Sequence, residues 1–246
     1  MSSAIHNLTL LKTGATFPEL RADEGCYETW FAALFGDRVS WTLIDAPEGD
    51  LLPAPHTVER LVITGSPVSI YERLSWSVAC SDWLKLVWER EIPILGVCYG
   101  HQLLADALGG EVGRSPQGRE MGATEVTQCG DDLIFSGLMP TFKVWQTHVD
   151  EIIKLPAQAE VIATNDHSAV QAMAIGDHCR SVQWHPEMNR AIMDRYAAQR
   201  ADQINREWGE GAADQLRASL PEEVPSGSQI AANFLKYFCG LSLDDG

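Results

Sequence analysis

The sequence has few basic side chains for its size. Lys and Arg together number 18 against 34 Asp and Glu, so the formal net charge of the 246-residue chain is −16. A nucleic-acid-binding surface needs clustered positive charge to neutralise phosphates, and docking on an anionic membrane also needs basic residues. The composition therefore argues against nucleic acid and membrane as partners.

The chain also lacks long apolar runs and paired cysteines. No stretch approaches the roughly 18 apolar residues of a membrane-spanning helix, and the first residues show no charged leader before an apolar segment. Six scattered cysteines form no C-x-x-C pair, which disfavours a disulfide framework and a zinc site. We therefore expect a cytoplasmic protein without a metal or other cofactor, in which a cysteine is available for chemistry.

Apolar spacing up to residue 110 predicts alternating strands and helices. The run Ile92–Val97 is apolar throughout, as expected of a central parallel strand that is buried on both faces. This alternation predicts an α/β fold with a flavodoxin-like open, mostly parallel sheet and helices on both faces. The other predicted strands are Asn7–Lys12, Val39–Ala46 and Arg60–Thr64, and the predicted helices are Gly25–Phe35, Trp76–Glu89 and Gly100–Leu108.

The pattern changes after residue 110, where shorter strands follow one another with few helices between them. This pattern predicts a small antiparallel extension whose last strand returns to the main sheet. Residues 190–246 are expected to form a helical elaboration that is broken at Pro221–Ser228 and ends with a helix at Gln229–Phe238. No linker or repeat is visible, so residues 1–246 are predicted to form a single domain. The short strands are predicted at Met121–Gln128, Thr141–Gln146, Glu160–Ala163, Ala169–Ala174 and Arg180–Trp184.

The segment that follows the central strand has the layout of a nucleophile elbow. An apolar strand ends in Gly96-Val97-Cys98-Tyr99-Gly100, and a helix begins at once. Glycines permit such a tight strand-to-helix turn. The helix N-terminus would favour the thiolate form of Cys98 over the thiol. The alternative is a structural cysteine buried in a strand-to-helix turn.

A second segment offers a base for such a nucleophile. A predicted strand delivers His185, and Pro186 restricts the backbone there to an extended conformation. Glu187 lies two residues further on, close enough for its carboxylate to orient the imidazole. Taken alone, His-Pro-Glu is equally compatible with a surface loop.

Together, the two segments resemble the class I, triad-type glutamine amidotransferases. The resemblance rests on G-V-C-Y-G-H-Q at residues 96–102 and V-Q-W-H-P-E at residues 182–187, and it covers roughly residues 40–190. Ile63–Pro67 resembles the glycine-rich oxyanion loop of the family, and Trp145–Asp150 resembles its Ser-His-Gly segment. The motifs are most similar in style to the glutaminase domains of GMP synthases.

The resemblance implies a role for each matching residue. Cys98 would attack the side-chain amide of glutamine, His185 would act as the base, and Glu187 would orient His185. The backbone N–H groups of Gly65 and Tyr99 would form the oxyanion hole. Substrate-binding roles are implied for Gln102, Thr147, His148 and Val149, whereas His101 is expected to be a packed helix residue.

Two positions depart from the family pattern, and both belong to the substrate pocket. Val149 stands where the family often has glycine, and the oxyanion loop reads Thr64-Gly65-Ser66-Pro67 instead of Gly-Gly-Pro. These changes leave the choice between free glutamine and another γ-glutamyl compound open.

No phosphate-binding G-x-x-x-x-G-K-[ST] segment is present for an ATP-consuming synthetase. Three hypotheses follow from this absence. The chain is a glutaminase that passes ammonia to a separate synthetase subunit, a stand-alone γ-glutamyl hydrolase or peptidase, or a non-catalytic binding or regulatory protein.

Overall fold

A computed structural model describes residues 6–37 and 39–241, and its largest element is a mixed nine-stranded sheet. The strand order across the sheet is β2-β1-β3-β4-β11-β10-β9-β6-β7, and β5 pairs with β8 in a separate two-stranded sheet. The strands are β1 His6–Lys12, β2 Val39–Asp45, β3 Leu61–Ile63, β4 Ile94–Val97, β5 Glu111–Arg114, β6 Glu120–Gln128, β7 Thr141–His148, β8 Asp150–Lys154, β9 Ala159–Thr164, β10 Ala172–Ile175 and β11 Cys179–Val182.

The helices lie on both faces of this sheet and form a second helical group near the C-terminus. Helix α8 continues into a π-helical turn at Phe234–Phe238. The helices are α1 Pro18–Glu24, α2 Tyr27–Phe35, α3 Ser75–Trp88, α4 Tyr99–Ala107, α5 Arg190–Gln199, α6 Ala201–Trp208, α7 Ala212–Ser219 and α8 Ser226–Asn233.

Five adjacent strands of the sheet are parallel. β2, β1, β3, β4 and β11 pair in this order with a common direction, so their carboxyl ends share one edge. β11 follows β10 along the chain but lies at the centre of the sheet, where it pairs with β4 so that Val182 is opposite Val97. The predicted α/β fold class and the return of the last strand to the main sheet are both confirmed.

Alternating strand residues divide the core into two layers. Leu10, Val62 and Leu95 belong to the cluster that contains side chains of α1, α2, α5 and α8. Their neighbours Leu11 and Ile94 belong to the cluster formed with α3 and α4. A strand places successive side chains on opposite faces, so these apolar runs are buried from both sides by helices.

The antiparallel part is larger and more continuous than the sequence predicted. β10, β9, β6 and β7 extend the main sheet beyond β11 as antiparallel strands. The strands β5 and β8 were not predicted from the sequence. β5 is short and polar, with the sequence EVGR, so it lacks the apolar alternation by which strands are found.

Helix α1 was also not predicted, although the sequence contains a signal for it. Pro18 stands at the first helical position, where proline is favoured because its missing N–H would have no partner there. Gly25 ends α1 with φ +80°, and Cys26 then caps α2. The predicted helix Gly25–Phe35 therefore begins two residues late, at Tyr27.

Four helices lie among residues 190–246, the part that the sequence predicted to be helical, and residues 242–246 lie outside the described part. α5 packs on α1 and α7, and α8 packs on α2 and β7. The last helix begins at Ser226 instead of Gln229, and the Ser226 hydroxyl donates to the Lys143 carbonyl of β7 at 2.7 Å. The predicted break therefore ends at Pro225.

Two glycines allow β3, β4 and α4 to approach one another closely. A side-chain carbon at residue 100 would lie 2.6 Å from the Ile63 carbonyl oxygen, and one at residue 96 would lie 2.8 Å from the Gly100 carbonyl oxygen. Both distances are shorter than a van der Waals contact, and both involve backbone atoms, which cannot swing aside. The turn between β4 and α4 therefore requires glycine at both positions.

We predict that Gly100→Ala destabilises the protein by about 2 kcal/mol or more, because the added methyl forces α4 away from β3. Urea unfolding measures this loss. Gly109→Ala is the matched control: Gly109 has φ +90° with nothing within 4 Å of an added carbon, so only about 1 kcal/mol is expected. Equal losses for the two variants would contradict the close approach described here.

Candidate active site

Cys98 lies at the turn between β4 and α4, in a backbone conformation that few side chains adopt. Its φ is +52° and its ψ is −103°, and positive φ costs a non-glycine residue of order 1–3 kcal/mol. Hydrogen bonds hold the turn: the Cys98 N–H donates to the Val182 carbonyl at 2.8 Å, and the Gly100 N–H donates to the Thr64 carbonyl at 3.1 Å. The strained turn places Cys98 at the amino end of α4.

His185 and Glu187 follow β11, beside Cys98 at the same edge of the sheet. The His185 N–H donates to the Trp145 carbonyl of β7 at 2.8 Å, which fixes the segment beyond the end of the strand. Nδ1 of His185 lies 2.7 Å from Oε1 of Glu187, and both side chains are buried. The structure thus brings together the three residues to which the sequence assigned catalytic roles.

The charges around His185 favour its protonated form. Burial alone lowers the pKa of His185, but the charges of Glu187 and Cys98 outweigh burial and raise the pKa well above its usual value. Glu187 faces Nδ1, so Nε2 is the nitrogen left for Cys98 or for a substrate atom. This arrangement suits a protonated His185 held between Glu187 and Cys98.

Gly65 closes the other side of this pair. A side-chain carbon at residue 65 would lie 2.9 Å from Cε1 of His185 and 3.6 Å from Cβ of Cys98, so only glycine fits there. Within the described residues, the backbone N–H groups of Gly65 and Tyr99 donate to no carbonyl. Two free N–H groups beside a nucleophile can stabilise an oxyanion.

A cleft of about 230 Å³ opens at Cys98, and the predicted substrate residues Gln102, Thr147, His148 and Val149 line it. The Gln102 amide nitrogen donates to the Asp150 carbonyl and to Gln183 Oε1, each at 3.0 Å. Because both amide hydrogens are used within the protein, the carbonyl oxygen Oε1 is the group that Gln102 offers to a ligand.

His148 belongs to a buried polar network behind the cleft wall. Its Nδ1 lies 3.0 Å from the Asp150 carbonyl, and its Nε2 lies 2.9 Å from Oε2 of Glu120. Burial raises the pKa of Glu120, but hydrogen bonds, above all from His148, outweigh burial and leave the pKa lowered. The pairing fixes the end of β7, and residues 147–149, at this end and just beyond it, line the cleft.

Among the described residues, one cluster has the side chains of a metal site: Glu120, His148 and His167, with ligand atoms within 4.8 Å of one another. The Glu120 carboxylate, however, already accepts four hydrogen bonds, from Thr124, Asn165, His148 and Gln171. We therefore interpret the cluster as a network that positions His148.

The sequence did not reveal the basic wall of the cleft. Arg119, Arg200 and Gln203 line the cleft together with Cys98. Arg119 lies just before β6, whereas the other two belong to the helical segment α5–α6. None of them stands in a motif, and the polar pattern of residues 189–219 resembles that of any solvent-exposed helix.

His101 lies in α4 but takes no part in the cleft. The ring is fully buried, with Nδ1 2.7 Å from the Ser181 hydroxyl and Nε2 3.3 Å from the Val170 carbonyl. Burial lowers the pKa of His101 to about 3, so the ring stays neutral and ties α4 to β11. The structure places His101 in the core, as the sequence predicted.

The comparison with known families agrees with this geometry. The sequence model described as "Glutamine amidotransferase class-I" matches residues 38–200, which is more than half of the chain. The chain belongs to the class-I glutamine amidotransferase family. The family predicted from residues 96–102 and 182–187 is therefore confirmed.

The chain covers very different fractions of two curated relatives. It is 35% identical over 205 residues to a GMP synthase (glutamine-hydrolysing) of Aeropyrum pernix, covering 81% of this chain but only 38% of the relative. It is 28% identical over 246 residues to γ-glutamyl peptidase 5 of Arabidopsis thaliana, covering 93% of this chain and 94% of the relative. The chain thus spans about two fifths of the synthase but nearly all of the peptidase.

A solved structure shows the same fold. A glutamine amidotransferase from Thermotoga maritima superposes with a TM-score of 0.74 at 21% identity, over 94% of this chain and 97% of that one. None of the helices in the described ranges is both long and apolar enough to span a membrane.

We predict that His101 makes the stability of this protein fall in mild acid. Its folded pKa lies below the unfolded value of about 6.5, so the stabilisation is present above pH 6.5 and is lost as pH falls from there towards 3. At pH 5 the loss is about 2 kcal/mol from this residue. Chemical denaturation of the wild type and of His101→Gln at pH 7 and pH 5 measures this loss of unfolding free energy. The loss should be smaller in His101→Gln. An identical acid loss in both proteins would show that His101 does not contribute.

Proposed function

We propose that this chain hydrolyses γ-glutamyl amides through a thioester on Cys98, with the side-chain amide of glutamine as substrate and ammonia as product. The observation that supports this most directly is the joint position of three groups. A strained Cys98 lies at the helix N-terminus, His185 stands beside it, and Glu187 is 2.7 Å from the far nitrogen of that ring. A nucleophile, a base and an orienting acceptor are the parts that thiol acyl transfer requires.

Each step of the proposed reaction uses groups at this edge of the sheet. Sγ of Cys98 attacks the amide carbonyl carbon, and the oxygen that becomes negative accepts hydrogen bonds from the N–H groups of Gly65 and Tyr99. Protonated His185 then gives its proton to the departing nitrogen as the carbon–nitrogen bond breaks, which leaves a γ-glutamyl thioester. Glu187 stabilises the positive ring before this transfer.

The second half of the reaction restores the enzyme. Neutral His185 takes a proton from water, whose oxygen attacks the thioester carbonyl. The carbon–sulfur bond breaks, so that glutamate leaves and Cys98 returns as a thiolate facing the imidazolium. No metal or other cofactor enters either half of this proposal.

The cleft wall offers groups for the amino-acid end of the substrate. Oxygen Oε1 of Gln102 can accept from an α-ammonium group, and the backbone of Thr147, His148 and Val149 is proposed to meet the α-carboxylate. The network of Glu120 behind His148 holds this wall in place.

A γ-glutamyl peptidase is the second candidate, and two observations favour it. A curated γ-glutamyl peptidase matches 93% of this chain, and Val149 lines the cleft at a position where the family often has glycine. The chemistry at Cys98 is the same for both candidates, and only the leaving group differs. If glutamine is the substrate, a separate synthetase subunit is the proposed acceptor of ammonia.

The test compares ammonia release from glutamine with amino-acid release from γ-glutamyl dipeptides. We expect Cys98→Ala to lower turnover of every accepted substrate by roughly 10⁴-fold or more, because no other thiol reaches the carbonyl. Glu187→Gln should be roughly 100-fold slower yet active, because it mainly affects the orientation and charge of His185.

The matched control is Cys129→Ala, which removes the exposed cysteine and should leave turnover unchanged. Circular dichroism and thermal unfolding establish that each variant is folded. Wild-type turnover by folded Cys98→Ala would overturn the mechanism. Since a partnered glutaminase can be idle alone, labelling of Cys98 by a glutamine-analogue alkylating agent provides a readout independent of turnover.

A further inference from the structure

Two arginines stand in the candidate cleft of a chain whose formal net charge is −16. Arg119 and Arg200 both line the cleft that contains Cys98. Neither takes a role in the mechanism above. Guanidinium groups in a partly buried cleft attract carboxylates or phosphates, which they bind through several donors at once.

The Arg119 guanidinium is hydrogen-bonded to Glu207 on one side, and Arg119 lines the cleft. Its Nε donates to Oε2 of Glu207 at 2.8 Å, and its Nη2 donates to Oε1 of Glu207 at 3.4 Å. The side chain is 4% exposed. Within the described residues Nη1 makes no hydrogen bond, so a buried, fixed guanidinium presents one end to the cleft.

Arg200 lies beside Arg119 and is less well compensated. Its guanidinium lies 5.1 Å above the ring of Phe17, and Nη1 donates to Gln203 at 3.1 Å. The buried Nε has no acceptor in the described part of the chain. Burial first, and then the positive charge of Arg119, lower the pKa of Arg200, whereas the charge of Glu207 opposes this shift.

Two positive side chains therefore share one carboxylate, that of Glu207. An anion bound in the cleft would place a second negative charge beside the two guanidinium groups, and both groups would attract it. Among the described residues, this wall of the cleft therefore has two positive side chains and one carboxylate to balance them.

Another wall of the cleft has the opposite charge. The Asp150 carboxylate lines the cleft and accepts hydrogen bonds from the hydroxyls of Ser69 and Tyr71, the latter at 3.0 Å. Together with Oε1 of Gln102, it offers acceptors to the α-ammonium group of a γ-glutamyl substrate. The amino-acid end is thereby matched without Arg119 or Arg200.

We propose that Arg119 and Arg200 form a subsite for a carboxylate on the leaving group. Glutamine carries one carboxylate and one ammonium, and its leaving group is neutral ammonia. A γ-glutamyl amino acid carries a second carboxylate on the departing amino acid, and the arginine wall has the charge to bind it. This inference rests on the proposed γ-glutamyl hydrolysis at Cys98, and it favours the second candidate, the peptidase, with γ-glutamyl amino acids as its substrates.

The proposal also gives the C-terminal helices a function. Arg200 stands at the junction of α5 and α6, Gln203 holds it, and Glu207 of α6 anchors Arg119. The helical elaboration supplies the wall that reads the leaving group, while the sheet supplies the chemistry.

The test uses two substrates that differ in one group. γ-Glutamylglycine and γ-glutamylethylamide have leaving groups of similar length, and only the first carries a carboxylate. We expect the wild-type ratio of kcat/KM for γ-glutamylglycine over γ-glutamylethylamide to be about tenfold or more, the size of one charge-assisted hydrogen bond. Arg200→Gln should lower this ratio by about tenfold, chiefly through KM, and Arg200→Lys should restore part of it.

The matched control is Arg206→Gln, which removes the same charge from the exposed side of α6 and should leave the ratio at its wild-type value. A wild-type ratio near one would by itself overturn the subsite. An equal loss of kcat/KM on both substrates in folded Arg200→Gln would also overturn it. Hydrolysis of both substrates at equal rates refutes the subsite alone. If neither substrate is hydrolysed and Cys98 resists the alkylating analogue, the proposed function itself fails.

Discussion

The structure depends on the close approach of three chain segments around Cys98. β3, β4 and the first turn of α4 meet with no room for a side chain at Gly96 or Gly100, and Gly65 lies against the ring of His185. Cys98 accepts a φ of +52° because hydrogen bonds from its own N–H and that of Gly100 fix the turn on both sides. Within the described residues the N–H groups of Gly65 and Tyr99 donate to no carbonyl, so one packing constraint creates both the strained turn at Cys98 and its proposed oxyanion hole.

Ion pairs between charged side chains hold several walls of the cleft in place. The chain is strongly acidic as a whole, and three ion pairs lie at the cleft: His185 with Glu187, His148 with Glu120 and Arg119 with Glu207. Each pair fixes a different wall of the cleft. In the described part of the chain Arg200 forms no salt bridge with a carboxylate, and this imbalance provides the argument for a ligand anion. The antiparallel strands β6 and β7 and the C-terminal helices therefore shape the cleft, whereas the proposed nucleophile and base follow the parallel strands β4 and β11.

The sequence predicted those parts whose physical cause is local. The apolar strand β4, the glycines beside Cys98 and the His185-Pro-Glu187 segment are visible in a single chain, because turn geometry and neighbouring side chains determine them. The strands β5 and β8 were not predicted, because they are short, contain several polar residues and form only by pairing with each other. The two arginines of the cleft could not be predicted for a related reason. Arg119 and Arg200 are 81 positions apart in the sequence, and the packing of α6 against the cleft brings them together. Contacts between distant residues of ordinary composition leave no local pattern.

The central claim is that Cys98 carries the γ-glutamyl group during turnover. Rapid acid quenching of the enzyme with a γ-glutamyl substrate, followed by intact-protein and peptide mass spectrometry, tests this claim most directly. The account predicts one γ-glutamyl adduct on the peptide that contains Cys98, formed within a turnover and absent from Cys98→Ala. Product formation in the same samples without an adduct, or with the adduct on another residue, would contradict it.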